Sequence, residues 1–513
     1  MLSAGRDIRE RLGATPQGGR RVAFRVWAPR RSSVAVRLRG EEHELERTGD
    51  GFWEAPLAAA PGEDYAYVLD AREERPDPCS RFQPEGIRGP SRVVDTAAFE
   101  WTDEHWDGLR LEELVVYELH VGTFTPEGTF DAVVPHLGEL RELGVRAIEL
   151  MPVATFPGNR GWGYDGVYAY APHPAYGGPE GLARLVDAAH REGLGVLLDV
   201  VYNHVGPGAD SIAAFGPYFT DRHETPWGDA IDYTHVGVRE WAIQNALTWV
   251  RDYHVDGLRL DAVFAVHDDG TRHVLADLAE RVHEEAPRTL VVSETHVDDR
   301  RPLDEWGHDA QWCDEHHHAL HVLLTGEREG YYEPYGRVEQ LAHALVRPER
   351  GRLVVCAQNH DQVGNRPAGD RLTRDQLRVA AHCTLLAPST PLLFMGEEYG
   401  EQRPFQFFTD HVDPAVAEAT RRGRREEFAS FSGFAAEDVP DPQDPVTFER
   451  SKLAPERGDT ALRECYRELL RLRRELPPDF EVDFTEEPPR LRLRRGDVEL
   501  AVDFARLSAE IRR

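Results

Sequence analysis

From about residue 106 this chain alternates apolar, strand-like runs with amphipathic helical segments, and that alternation limits its fold more than any other feature. Strand-like stretches fall at 114–121, 147–152, 196–201, 257–260, 290–293, 310–313, 353–357 and 391–395. Helical patterns lie between the early ones, at 130–143, 181–192, 239–253 and 273–285. In 181–192 apolar residues recur at 182, 185, 186 and 189, one face of a helix. Such alternation is the pattern of an α/β fold with a parallel sheet, and eight strands favour closure into a (β/α)8 barrel over an open sheet.

Two flanking regions read as β. Partly alternating runs at 22–28, 34–38 and 65–69, separated by turn signals at Asp50-Gly51 and 61–64, suggest a small immunoglobulin-like sandwich over 1–105. The barrel is expected over 106–477. Two strands, 490–494 and 498–503, make a short C-terminal β region in 478–513. Residues 204–238 form a long insertion after the third strand, where substrate contacts are common. Residues 402–455 read as an irregular loop with one helix, followed by a helix near 460–475.

Four acids end the apolar runs: Asp199, Asp261, Glu294 and Asp361, at intervals of 62, 33 and 67 residues. A charged group at the end of a buried strand is costly unless the mouth of a site receives it. In a parallel barrel those ends form the catalytic rim. Arg259 and Asp261 are two apart on one strand and therefore share a face, and an adjacent guanidinium suits an acid that must act as an anion. Glu294 ends the next strand, where burial favours the protonated form. A retaining glycoside hydrolase needs such a pair about 5 Å apart. Alone, Arg259 and Asp261 could be a buried structural pair; Asp199 and Asp361 in matching places argue against that.

Other residues extend this reading toward sugar hydroxyls. His204, five residues past Asp199, can reach one; Asn203 could be a calcium ligand or a loop hydrogen bonder, and the lack of an acid cluster beside it favours the loop role. Asn359, His360 and Asp361 offer an amide, an imidazole and a carboxylate in succession. Gly161-Trp-Gly-Tyr-Asp-Gly166 matches G-x-G-x-x-G formally, but aromatics and prolines follow where a nucleotide-binding fold needs a helix. Trp162 and Tyr164 are better read as platforms for sugar faces. His317 and His321 have i,i+4 spacing, but no HExxH or converging cysteines accompany them, so no metal site is expected. The pairs Asp268-Asp269 and Glu486-Glu487 read as solvated surface.

A net charge of -31 argues against nucleic acid and anionic membrane surfaces as partners, and fits a neutral substrate. The five cysteines are scattered, with no CxxC pair, so neither a disulfide framework nor a zinc site is indicated. No 18-residue apolar stretch is present and residues 1–10 lack an apolar core, so a cytoplasmic enzyme is the expectation.

The segments DVVYNH, GLRLDAV, SETH and QNHD resemble, in order and placement, the signature regions of the α-amylase superfamily. Longer strings, among them GWGYDGV, PYFTDRHETPWGDAIDY, HHALHVLLTGEREGYY and PDPQDPVTFERSKL, look like its trehalose-releasing branch. The resemblance runs from Trp27-Ala-Pro29 to about Leu453. It implies that Asp261 is the nucleophile, Glu294 the general acid/base and Asp361 a third acid that grips the sugar. Arg259, Asp199, His204 and His360 become subsite ligands, and Tyr164 the stacking aromatic. The implied reaction is hydrolysis of the α-1,4 bond next to the terminal trehalose of maltooligosyltrehalose, with no cofactor. The implied pathway neighbour is the synthase that makes that substrate. One departure stands out: Phe264-Ala265 occupy positions where the wider superfamily often has Lys-His, which removes a sugar contact and a calcium ligand. A glucan branching or debranching enzyme is the rival within enzymes; a catalytically dead glucan-binding protein is the rival outside them.

Overall fold

The structure, a computed structural model, describes residues 10–428 and 439–513. Eight parallel strands close into a barrel: β1 (Val116–Leu119), β2 (Ala147–Leu150), β3 (Gly195–Val200), β4 (Gly257–Leu260), β5 (Leu290–Ser293), β6 (Ala310–Trp312), β7 (Leu353–Cys356) and β8 (Thr390–Phe394), with β8 pairing back to β1. All eight expected strands are present and neighbours in sequence are neighbours in the barrel.

Side chains of one parity fill the barrel. Val116, Ala147, Leu197, Val292, Trp312, Val354 and Leu392 form a separate apolar cluster inside it. Opposite-parity residues such as Ile148, Val196 and Leu258 join the larger core beneath the helices. Because the strand period is two, the inward parity continues from Leu197 to Asp199, from Gly257 to Arg259 and Asp261, and from Val292 to Glu294. Each acid is therefore aimed at the barrel's C-terminal mouth by the same alternation that packs its interior.

Outside the barrel, two antiparallel sheets built from residues 13–92 face each other, with Phe24 of one meeting Tyr65 of the other edge-on at 5.0 Å. The insertion after β3 carries a hairpin, Phe219–Thr225 with Gly228–Ile231. Region 402–455 contains two described helices, Pro414–Glu427 and Pro445–Arg450, where one was expected; residues 429–438 of it lie outside the described residues, as do residues 1–9 of the N-terminal segment read for a leader. The C-terminal region is a four-stranded meander, Glu481–Thr485, Arg490–Arg495, Val498–Asp503 and Ser508–Arg512, rather than two strands. The outer strands are largely exposed, which left them without an apolar signal.

Three acids expected as solvated surface have partners, Asp269 among them through His223 at 3.1 Å. The Asp268 side chain is fully buried, pairs with Arg239, and accepts from the backbone of Gly270 at 2.9 Å. Glu486 accepts from the Val338 and Glu339 amides at 3.1 and 3.0 Å, at the start of the helix Val338–Val346. The unpaired N–H groups of a helix start favour a carboxylate there.

Candidate active site

Arg259 organises the barrel mouth. Its guanidinium is fully buried and reaches three acids: Nη1 lies 2.6 Å from Asp199 and 2.9 Å from Asp261, and Nη2 lies 2.8 Å from Glu294. Its face rests 4.2 Å from the Trp312 ring of β6. One planar cation thus ties β3, β4 and β5 together, and its fork geometry suits several carboxylates at once. Asp261 is held from the other side by Asn203, whose Nδ2 donates to the Asp261 carboxylate at 2.7 Å and to its carbonyl at 2.9 Å. The Ala262 amide donates to Glu294 at 2.8 Å. To do so Ala262 takes a left-handed φ of 39°, strain of the kind that collects at functional turns.

A second constellation centres on His360. Its backbone N–H donates to Glu118 at 2.9 Å and its Nδ1 approaches the same carboxylate at 2.5 Å, while Nε2 lies 2.7 Å from the Tyr164 hydroxyl and 3.3 Å from Asp361. Tyr164 donates to Asp199 at 2.6 Å, so the two constellations are joined. Asn365 donates to Asp361 at 3.0 Å. Asn359 caps the helix His360–Gly364 by accepting from the Gln362 amide at 2.8 Å, which sets the angle of Asp361.

The charges separate the acids. Burial drives Glu294 up to about 8; Arg259 pulls it down, and Asp261 and Asp361 push it further up. Burial likewise lifts Asp199 to about 7 against the pull of Arg259. Burial also pushes Asp361 upward, but the His360 charge and hydrogen bond outweigh it and hold this carboxyl below the usual carboxylate range. On His360 the order is the same: burial opposes the charge, and Asp361 and Glu118 overcome it, so the ring stays protonated. A protonated acid beside ionised ones is what acid-assisted displacement at an acetal carbon needs.

The ten residues singled out in the sequence fall as follows. Asp199, Arg259, Asp261, Glu294, Asp361, His360 and Tyr164 converge as described. His204 is near them, its Nε2 donating to the Tyr164 carbonyl at 2.9 Å. Asn359 acts through its helix. Trp162 is a correction: it is 5% exposed, stacks on Phe405 at 5.1 Å and donates to the Gln406 carbonyl at 3.1 Å, so it packs behind His360 and offers no sugar a platform. Its position in an apolar-poor loop hid that burial. Asn203 does more than the loop role expected of it: its Oδ1 meets Nδ1 of His204 in its own loop, and its Nδ2 grips Asp261. His317 is bonded to the Ala357 carbonyl (2.7 Å) and the Tyr332 hydroxyl (2.8 Å), and His321 to Glu327 (3.0 Å). Among the described residues no group of three or more His, Cys, Asp or Glu side chains is placed to hold a metal ion.

Sequence reasoning missed Glu118, although its place two residues after Val116 in β1 carries the inward parity. It also missed the exposed aromatics Trp227 and Tyr331 and read Phe264 only as the loss of a sugar contact. Trp227 at the hairpin tip stacks on His204 at 4.5 Å, Phe264 stacks on His296 at 5.6 Å, and Tyr331 donates to Gln362 at 3.3 Å. They are 48%, 43% and 45% exposed, flat apolar surface of the kind sugar faces cover.

A closed parallel barrel with such acids at its mouth defines a glycoside hydrolase of the α-amylase type. The family model described as "Alpha amylase, catalytic domain" matches residues 90–214. A malto-oligosyltrehalose trehalohydrolase from Deinococcus radiodurans is 47% identical over 92% of this chain and 84% of its own length. One from Saccharolobus solfataricus is 41% identical over 88% and 85%. A crystal structure of a candidate alpha amylase from Salmonella typhimurium superposes with a TM-score of 0.88 at 39% identity, covering 96% of this chain and 93% of that one. The chain belongs to the malto-oligosyltrehalose trehalohydrolase family. No helix among the described residues is long and apolar enough to cross a membrane.

Proposed function

We propose that this protein hydrolyses the α-1,4-glucosidic bond next to the terminal trehalose of maltooligosyltrehalose, releasing trehalose and a maltooligosaccharide with retention of configuration. The single observation that carries the chemistry is the contact of one buried guanidinium with Asp199, Asp261 and Glu294 at 2.6–2.9 Å. The substrate is supported by the relatives' names.

In this reading an oxygen of Asp261 attacks the anomeric carbon while Glu294 gives its proton to the departing glycosidic oxygen. The C–O bond breaks, trehalose leaves, and a glycosyl ester on Asp261 remains. Glu294, now a carboxylate, takes a proton from water, which attacks the same carbon and frees Asp261. Asp361 and His360 grip the sugar hydroxyls, and Arg259, in contact with both Asp261 and Glu294, balances whichever of the two carries the charge in each step. Tyr164 lies against His360 (ring centroids 5.1 Å apart) and offers its other edge to the sugar. We take the working units to be residues 1–105, 106–477 and 478–513, and the supplier of the substrate to be the synthase that installs its terminal trehalose.

The test is incubation with maltotriosyltrehalose and, separately, maltopentaose, with products resolved by chromatography. Trehalose plus maltotriose from the first, with little cleavage of the second, supports the reading. Equal cleavage of both, or longer branched glucans, moves the function to a general glucan enzyme.

A further inference from the structure

We propose that the N-terminal sandwich is a positioning element of this active site, and that Trp27 is the residue through which it acts. The site's substrate is taken from the function proposed above. Trp27 ends the strand Val22–Trp27 and is 3% exposed. Its Nε1 donates to the Asp50 carbonyl at 2.9 Å, so the indole is oriented from within the sandwich. The ring then leaves the sandwich and enters a socket made by the barrel's insertion. Tyr218, just before the hairpin, meets it edge-on at 5.4 Å, and His235, just after the hairpin, meets it at 5.8 Å. Both roots of the hairpin are held by one side chain.

Two glycines shape the socket. A Cβ on Gly237 would fall within the indole, and one on Gly216 would stand 3.1 Å from Trp27 and 2.9 Å from Pro29. Neither glycine has a positive φ, so close approach of the indole accounts for them, not turn geometry. A second line of contacts runs beside the first: Arg31, paired with Asp70 and Glu73 at 3.2 and 3.0 Å, donates to the Ala214 carbonyl at 2.8 Å, and Tyr67 meets Phe215 edge-on at 5.8 Å.

The hairpin has little core of its own, since the strand Phe219–Thr225 has no buried residue. An isolated two-stranded hairpin is marginal in water. Its tip nevertheless lies across the loops that follow β3 and β4. Trp227 stacks on His204, and His223 stacks on His267 at 4.6 Å and pairs with Asp269 at 3.1 Å. Of the hairpin's apolar residues only Ala230 and Ile231 are buried, so its position depends on its tip contacts and its roots, and Trp27 packs against both roots.

The experiment is a double-mutant cycle with Trp27→Ala and Trp227→Ala, read as KM and kcat for the trehalose-ended substrate, together with amide exchange over 219–231. His235→Ala loosens the same clasp from the barrel side, and Trp27→Phe refills it. The expected results are a KM about tenfold higher for Trp27→Ala, the scale of one aromatic contact, with a smaller change in kcat and recovery in Trp27→Phe. Hairpin exchange should rise in Trp27→Ala and His235→Ala, and the double variant should be no worse than Trp227→Ala alone. Effects that multiply, a neutral Trp227→Ala, or a lower melting temperature with unchanged KM and hairpin exchange would overturn the proposal. If the wild type releases no trehalose, the functional reading fails, and hairpin exchange alone then decides the positioning role.

Discussion

Replacing Arg259 with methionine keeps much of the side-chain volume and removes the cation that Asp199, Asp261 and Glu294 share. At an effective dielectric of about 20, each of its three ion pairs carries a gross attraction of about 4 kcal/mol. Most of that offsets the desolvation of the ions, and removing one partner of a buried cluster leaves a net loss of about 3–5 kcal/mol. The loss should depend on pH. In the wild type Arg259 lowers the carboxyl pKa values of Asp199 and Glu294 relative to a protein without it. Burial keeps both carboxyls above their unfolded values, so ionising them costs stability as the pH rises; Arg259 reduces that cost, and its share exists only where they are ionised and disappears as the pH falls and they take their protons. With Asp199 near 7 and Glu294 near 8, the contribution is present above about pH 8 and largely gone at pH 5. Urea unfolding at the two pH values is the assay. Arg259→Met should lose about 2 kcal/mol more at pH 8.5 than at pH 5, with kcat/KM down about a hundredfold or more. Equal losses at both pH values would refute the idea that Arg259 acts by charge rather than by packing.

Three further outcomes follow from the same geometry. As general acid Glu294 must enter the reaction protonated, so kcat/KM should fall as the pH rises through about 8; in Asp361→Asn a repelling charge is gone, and the limb read from residual activity should move to lower pH. Glu118→Gln keeps an acceptor for His360 but removes the charge that helps hold its proton, and kcat/KM should drop about tenfold with the melting temperature nearly unchanged. Gly163 has φ +105°, and a Cβ there would overlap the Pro152 carbonyl; Gly163→Ala should cost about 2 kcal/mol or more in urea unfolding and displace the neighbouring Tyr164, which a tenfold or greater loss of kcat/KM would register.

Periodicity by itself determined a good deal. Eight apolar runs separated by helical patterns specified a closed parallel barrel, because a strand buried on both faces must be apolar and each crossover must return a helix over it. The same period of two put Asp199, Asp261 and Glu294 at inward positions one step beyond the barrel's packed interior. These are properties of adjacent residues, and a linear reading captures them. The short outer strands of the C-terminal meander carry no such pattern, since solvent faces them and any polar residue suffices.

Tertiary structure alone decided which groups touch. Glu118 and His360 are 242 residues apart, and they meet because β8 pairs with β1 and closes the barrel. Asn203 and Asp261 lie on neighbouring rim loops 58 residues apart. Trp162 and Trp227 are aromatics in similar polar loops, yet one is packed on Phe405 and the other left half exposed above His204. Likewise Trp27 reads as an ordinary strand-end residue until the sandwich and the insertion are brought together around it. Burial and contact depend on which distant segments share a volume, and local sequence encodes only the tendency of each segment to enter one.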